Sequence, residues 1–127
     1  MTPPLTHCSG DFKAKLSLEV RTREAARIKA KFQDRIPVVV EQAAGVRSVP
    51  PIDRSRFLVP ADLTLGQFMY VIRKRVKLSA DQAIFIFANS HIPSSSMQMS
   101  EVAAEHGDVD GFLYLVYAGE STFGHSV

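Results

Sequence analysis

Few residues of this chain could do covalent chemistry, and most of those lack company. Cys8 beside His7 offers a thiol and a base, but no third group orients the pair, and Pro3-Pro4 and Ser9-Gly10 around it spell a loose tail. An inert thiol is the better reading. His91 and His106 have no metal-ligand partner at useful spacing, and Glu101 and Glu105, four apart, suit a solvated helix face better than a catalytic carboxylate pair. No Gly-rich loop joins a strand to a helix, and neither Gly-x-Ser-x-Gly nor His-Glu-x-x-His occurs. The expectation is a protein that is not an enzyme and holds no metal or cofactor. The stretch that stands apart is the end, residues 118–127. It follows a dense apolar run, has no core pattern of its own, and sets Gly124 behind an aromatic, Phe123, with His125-Ser126-Val127 trailing.

The elements that must position this tail are legible from periodicity. From Asp11 to about Phe32 the pattern is helical with a break near Leu18; Leu18, Ala25, Ile28 and Phe32 share a face, and Arg21, Arg23, Arg27, Lys29 and Lys31 take the remainder. Two short basic helices follow from it. Their narrow stripe suits covering a sheet better than lying on a membrane. Residues 36–41 read as a strand with Pro37 at its beginning, and residues 56–60 as an antiparallel return after a long loop containing Pro50-Pro51. Thr64 and Gln67 form a capping box, after which Leu65, Phe68, Ile72 and Val76 repeat at helical spacing toward a cationic last turn. That charge run could serve the helix dipole, a partner, or both. Residues 83–88, apolar on both faces, predict a central strand; a short helix from about Gln98 to His106 stops at Gly107; residues 112–117 predict another inner strand. The expected fold is α+β: a four-stranded β-grasp (ubiquitin-like) roll with two extra N-terminal helices. A loose tail of residues 1–10, a domain of residues 11–117 and a flexible tail of residues 118–127 make up the chain.

Bulk properties set the class. With 127 residues, 46% hydrophobic and 22% charged, the chain is one ordinary globule whose core needs no disulfide or metal. A lone cysteine and the absence of a signal peptide or membrane span point to the cytoplasm. Net charge is only +2, yet all 15 Lys/Arg lie in residues 1–77 with seven of the 13 acids, a net +8 there against −6 in the remainder. Such asymmetry suggests either a face that recruits acidic partners or two well-solvated helices. Nucleic acid is not the expected partner, because Phe57, Phe68, Phe85, Phe87 and Phe112 fall in core patterns and cannot stack bases.

Particular residues then carry a resemblance. Residues 35–41 (RIPVVVE), 57–68 (FLVPADLTLGQF) and 72–75 (IRKR), with 85–89 (FIFAN), Ile92-Pro93, Met99, Glu105-His106, 112–114 (FLY), Tyr117 and the closing 120–124 (ESTFG), resemble the autophagy ubiquitin-like modifiers. That family includes microtubule-associated light chain three and the GABA-receptor-associated protein. The similarity runs from about Phe12 to Gly124 with nearly ungapped spacing.

What the resemblance implies is a modifier whose chemistry belongs to its partners. A processing cysteine protease would cut between Gly124 and His125; activating and conjugating enzymes would pass the Gly124 carboxylate through thioesters to the amine of phosphatidylethanolamine on autophagosomal membranes. Phe123 would anchor the arm before the cut. The domain would recruit autophagy receptors carrying an aromatic residue and, three positions on, an aliphatic one, by strand addition along Arg56, Phe57 and Leu58. The resemblance places Glu24, Ile28, Pro37, Leu58 and Phe112 around the aromatic, and Phe32, Val59, Pro60, Leu63, Phe68 and Val71 around the aliphatic residue. Arg35, Arg54, Arg56 and Arg75 would form a basic rim for flanking acids. Tubulin joins membrane as a candidate partner of the basic helices, and Ile84 to Phe87 would border a second docking surface. Departures are Arg56 for a family Lys, Gln33 for a frequent Pro, and Gly111 for a common aromatic. The competing class is a non-covalent β-grasp adaptor that ignores its tail.

Overall fold

The computed structural model describes residues 11–43 and 51–119; Cys8, the turn at Ala44-Gly45 and the tail with Phe123, Gly124 and His125 lie outside the described residues. The elements in chain order are α1 (Asp11–Lys15), α2 (Leu18–Lys31), β1 (Arg35–Gln42), β2 (Arg56–Pro60), α3 (Leu65–Arg75), β3 (Ile84–Phe87), α4 (Met99–His106) and β4 (Leu113–Gly119). One mixed sheet has the order β2-β1-β4-β3. β1 and β4 run parallel at its centre, and β2 and β3 flank them antiparallel, which is the β-grasp roll expected from the sequence.

Alternation along the strands divides the core into two layers. Val38 and Val40 of β1 and Leu113, Leu115 and Tyr117 of β4 face α3 and α4, where Leu65, Phe68, Ile72, Met99 and Val102 close a large buried cluster. Val39 faces the other way, toward Phe12, Ala25 and Phe112, with Leu16, Ile28 and Tyr114 partly buried beside them. The N-terminal helices thus cover the sheet face opposite α3. At about 1.5–3 kcal/mol for each fully buried Leu, Ile or Phe, the α3 side holds most of the stability.

Local signals end and start the helices. Ser17 caps α2 by accepting the Val20 amide at 3.2 Å. At α3 the capping box is reciprocal: Thr64 Oγ1 accepts the Gln67 amide at 3.2 Å and Gln67 Oε1 accepts the Thr64 amide at 2.9 Å. Two further amides of that first turn, Leu65 and Gly66, donate to the Met97 and Ser95 carbonyls at 2.8 and 2.9 Å, which straps the serine loop onto the helix start. Lys77, at φ 58°, stops the helix in the left-handed region.

Three expectations need correction. The stripe of α2 has the right phase but its ends overhang the sheet: Leu18 is 51% and Phe32 39% exposed, while Arg21, assigned to the charged face, is buried beside Ala25. β3 is an edge strand, not a central one; its Ile84 and Ile86 pack into the α3–α4 cluster, and on the other face Phe87, with Phe85 partly buried, packs beside Ala43, Val116 and Ala118, but only β4 pairs with it. β4 continues through Ala118 and Gly119, both buried, so the strand ends two residues later than the apolar run suggests.

Candidate functional site

Candidate chemistry within the domain resolves into structure. The Glu101 carboxylate accepts the Gln98 amide at 2.8 Å and so starts α4. His91 lies next to the left-handed pair Asn89-Ser90, its Nδ1 2.8 Å from the Asn89 carbonyl, and stacks on His106 with ring centroids 5.7 Å apart. Among the described residues no three His, Cys, Asp or Glu converge on a point where a metal ion could sit.

The feature left over is the outer edge of β2. In the β1–β2 ladder Val40 donates to the Ser55 carbonyl at 2.7 Å and Ala61 to the Asp34 carbonyl at 2.9 Å. Both pairs are directly opposite in the register Arg35↔Pro60 to Val39↔Arg56. Hydrogen-bonded pairs alternate in an antiparallel ladder, so Phe57 and Val59 turn their backbone groups toward β1, while Arg56 and Leu58 turn theirs outward. No strand of the sheet lies beyond them. Pro37, which has no amide to give, stands opposite Leu58 in a pair that does not use one.

Alternation also sorts the side chains. Phe57 and Val59 point into the α3 layer, where Phe57 meets Phe68 edge-on at 5.3 Å. Leu58 and Arg56 stand with Pro37 and Val39 on the face covered by α2; the Arg56 guanidinium lies 5.5 Å from the Phe12 ring. Residues named as lining the aromatic pocket therefore fall on the α2 side: Ile28 and Glu24 half-buried on the helix, Leu58 half-buried on the strand, Pro37 and Phe112 buried beneath. Those named for the aliphatic pocket fall on the other side or at its end. Phe32 and Val71 are exposed there, Pro60 and Leu63 half-buried, and Val59 and Phe68 buried.

The rim arginines are not equivalent. Arg75 is held by Asp53 at 3.5 Å. Arg54 donates its Nε to the Arg56 carbonyl at 2.9 Å. Arg35 and Arg56 are exposed on β1 and β2. Glu24 pairs with Arg27; that hydrogen bond first, with the charges of Arg27 and Arg56 adding to it, holds its carboxyl below the usual range.

Beneath α2 lies a polar network that periodicity alone does not reveal. Tyr114 donates to Asp110 Oδ2 at 2.6 Å, the Phe112 amide donates to Asp110 Oδ1 at 2.8 Å, and Arg21 Nε stands 3.5 Å from Oδ2. Burial, then the Asp110 carboxylate, pushes the Tyr114 hydroxyl far above its ordinary value. Lys13 reaches Asp108 at 2.9 Å, and the Phe12 amide donates to Glu41 at 2.9 Å. These ties fix α1 and α2, and hence Ile28 and Glu24, relative to β2. The only sequence hint was three acids, Asp108, Asp110 and Glu41, set beside apolar strand residues.

Comparison with known proteins decides the identity. The family model described as autophagy protein Atg8, ubiquitin like, matches residues 20–124. The chain belongs to the Atg8 family. An Arabidopsis thaliana relative, autophagy-related protein 8d, is 57% identical over 113 residues, covering 89% of this chain and 93% of its own. Autophagy-related protein 8b of the same plant is 53% identical over 115 residues, covering 91% and 93%. Among solved structures, Trypanosoma brucei ATG8 superposes with a TM-score of 0.83 at 41% identity, covering 90% of this chain and 97% of that one. Plasmodium falciparum Atg8, solved with a Plasmodium falciparum Atg3 peptide, gives 0.78 at 30% identity, covering 85% and 94%. Atg8 membership makes this chain a non-catalytic ubiquitin-like modifier of autophagy, of a kind that works through lipid conjugation.

Proposed function

We propose that the chain is conjugated through Gly124 to phosphatidylethanolamine on autophagosomal membranes and there recruits receptors bearing aromatic-x-x-aliphatic motifs. The supporting observation for the bond is that the family match ends at Gly124, three residues before Val127. A partner protease hydrolyses the Gly124–His125 amide. An activating enzyme adenylates the freed carboxylate at the expense of ATP, partner cysteines hold it as a thioester, and the lipid amine displaces the thiolate to form an amide. Glycine suits this path because, without a Cβ, it enters narrow channels and adopts dihedrals closed to other residues. No helix among the described residues is long and apolar enough to cross a membrane, so attachment comes from the two acyl chains of the lipid, which anchor stably where one chain would not.

For recruitment, the support is the open edge of β2. A peptide strand added along Arg56 and Leu58 alternates its side chains between the two layers, so residues three apart face opposite sides of the sheet. An aromatic at the α2 side, by Ile28 and Leu58, then places the aliphatic residue at the α3 side, by Leu63 and Val71. The peptide-bound Plasmodium relative is consistent with such a surface.

Cell extract from the source organism is expected to trim the chain after Gly124, and Gly124→Ala to stay full length and soluble. Membrane-bound protein that retains His125-Ser126-Val127 in mass spectrometry would sink the conjugation reading. It would leave the adaptor alternative, for which deleting residues 124–127 changes nothing in localisation.

A further inference from the structure

The cationic run that ends α3 is only partly used by the fold. Arg73 donates from Nη2 to the Ser79 carbonyl at 3.0 Å, and Arg75 is held by Asp53 at 3.5 Å. Lys74 and Lys77 are exposed and enter no ion pair among the described residues. The Lys74 ammonium instead lies 5.1 Å from the centroid of the Tyr70 ring, one turn back, and Tyr70 is 60% exposed. The helix dipole accounts for cations in the last turn. It does not account for an exposed aromatic beside them, a pairing suited to a lipid headgroup layer, where the apolar body and polar tip of a tyrosine are both satisfied.

The neighbours of this turn fix its place. Asp53, which holds Arg75, precedes Arg56, the first residue of β2, by three positions. Beyond Arg75 the chain passes Ser79 into β3, whose first residue, Ile84, stands opposite Gly119. The end of α3, the start of β2 and Gly119 therefore share one end of the molecule. Two strand spacings, about 10 Å, separate β2 from β4 there. Five residues of sequence link Gly119 to Gly124, a covalent reach of at most about 18 Å, so a lipid joined at Gly124 holds this end close to a bilayer. Residues 51–56 and 73–84, which flank it, carry Arg54, Arg56, Arg73, Lys74, Arg75 and Lys77 against two acids, Asp53 and Asp81. Both acids are engaged, Asp53 by Arg75 and Asp81 by the Ser79 hydroxyl at 2.6 Å.

We infer that Lys74, Lys77 and Tyr70 form a docking face for an anionic bilayer surface, which orients the chain once the lipid has anchored it. This rests on the conjugation reading and names the side of the domain that meets the membrane. The two acyl chains supply the anchor, and the face sets the orientation. Each lysine held near a negatively charged leaflet multiplies the docked-to-undocked ratio about fivefold, and salt screens that gain. The Tyr70 ring enters the headgroup layer between them.

The chain contains no Trp, so Tyr70→Trp places a single reporter on the face. The chain ending at Gly124 is joined to lipid in two ways: to phosphatidylethanolamine by the activating and conjugating enzymes of an Atg8 relative, and chemically, as Cys8→Ser with Gly124→Cys coupled to a maleimide-bearing phosphatidylethanolamine. On vesicles containing phosphatidylserine the Trp emission is expected to shift to the blue and to be quenched by brominated lipid. On vesicles of phosphatidylcholine and phosphatidylethanolamine alone, or at high salt, both effects should largely disappear. Lys74→Gln with Lys77→Gln should lower the docked-to-undocked ratio on phosphatidylserine about 25-fold, with unfolding curves confirming an intact fold. A Trp that stays in water on the lipid-joined chain overturns the inference, and so does a blue shift that the double variant retains. An acidic peptide that shields the Trp where phosphatidylserine vesicles do not would give these cations to a protein partner and overturns it as well. If the enzymes leave the chain unmodified while the chemically joined chain docks, the conjugation reading fails and the docking face stands; lipidation without docking gives the reverse.

Discussion

At Gly111 the backbone has φ +96°, and a Cβ built there would stand 2.9 Å from the Ala25 Cβ of α2. Gly111→Ala would combine a strained dihedral with a push on the helix that carries Ile28, so a loss of about 1–3 kcal/mol in denaturant unfolding is expected, with weaker peptide binding. Asp108 gives a pH test. Burial alone would raise its carboxyl, but the Lys13 ammonium and the Asp110 amide outweigh this and hold it below 3.8. A lowered native value stabilises the fold above the unfolded value, and the contribution is lost as pH falls through the native one. Comparing Asp108→Asn with the unaltered chain should show a deficit of a few tenths of a kcal/mol near pH 7, because Lys13 is well exposed, and the deficit should vanish toward pH 2. None of these residues was legible beforehand, since a contact between Gly111 and Ala25 or between Lys13 and Asp108 depends on how α1 and α2 dock, not on spacing.

Among the elements, legibility followed the type of signal. The start of α3 could be read from Thr64 and Gln67 because a capping box is local chemistry, and both of its hydrogen bonds are present. The antiparallel return of β2 was likewise legible, since two strand-like runs on either side of one loop leave few alternatives. The place of β3 was not. Apolar residues on both faces report burial of both faces, and they say nothing about how many strands pair at the sides. The weight of α1 was missed too, because five residues show no periodicity, yet its Phe12 is buried and meets Phe112 edge-on at 5.1 Å. Phe12→Ala should cost about 3–5 kcal/mol in global stability or release the helix locally. Hydrogen exchange distinguishes these outcomes, with amides of α1 and α2 losing protection before those of β4 in the second case. On the edge strand, Leu58→Asp should leave the fold intact and weaken an aromatic-x-x-aliphatic peptide by tenfold or more, because the pocket wall would hold an unpaired charge. Unchanged titrations with a well-folded variant would misplace the pocket.

For the whole molecule, the sheet order relates the two working parts. β4 runs parallel to β1 and antiparallel to β2, so Gly119, the last residue the structure describes, stands at the end of the sheet where β2 begins with Arg56. Five residues of sequence link it to Gly124, a covalent reach of at most about 18 Å. Gly119 thus lies beside β3, two strands from the open edge of β2. The charge asymmetry takes a form that the sequence could not specify: the cations of α2 and α3 sit in layers on opposite faces of the sheet, with Arg54 and Arg56 on the edge between them, not on one basic face. Family and fold were legible because the matching residues are mostly core and turn residues, whose spacing the β-grasp constrains. The proposed cut at Gly124 rests on resemblance alone, as nothing in its local chemistry separates a donor arm from a plain tail. The most direct measurement is reconstitution: the chain ending at Gly124 is incubated with activating and conjugating enzymes of an Atg8 relative, ATP, and vesicles with and without phosphatidylethanolamine. The expected result is a product on the phosphatidylethanolamine vesicles alone, with a mass corresponding to an amide at the Gly124 carboxylate, and none from Gly124→Ala ending at the same position. An unmodified chain under conditions that lipidate the relative would contradict it.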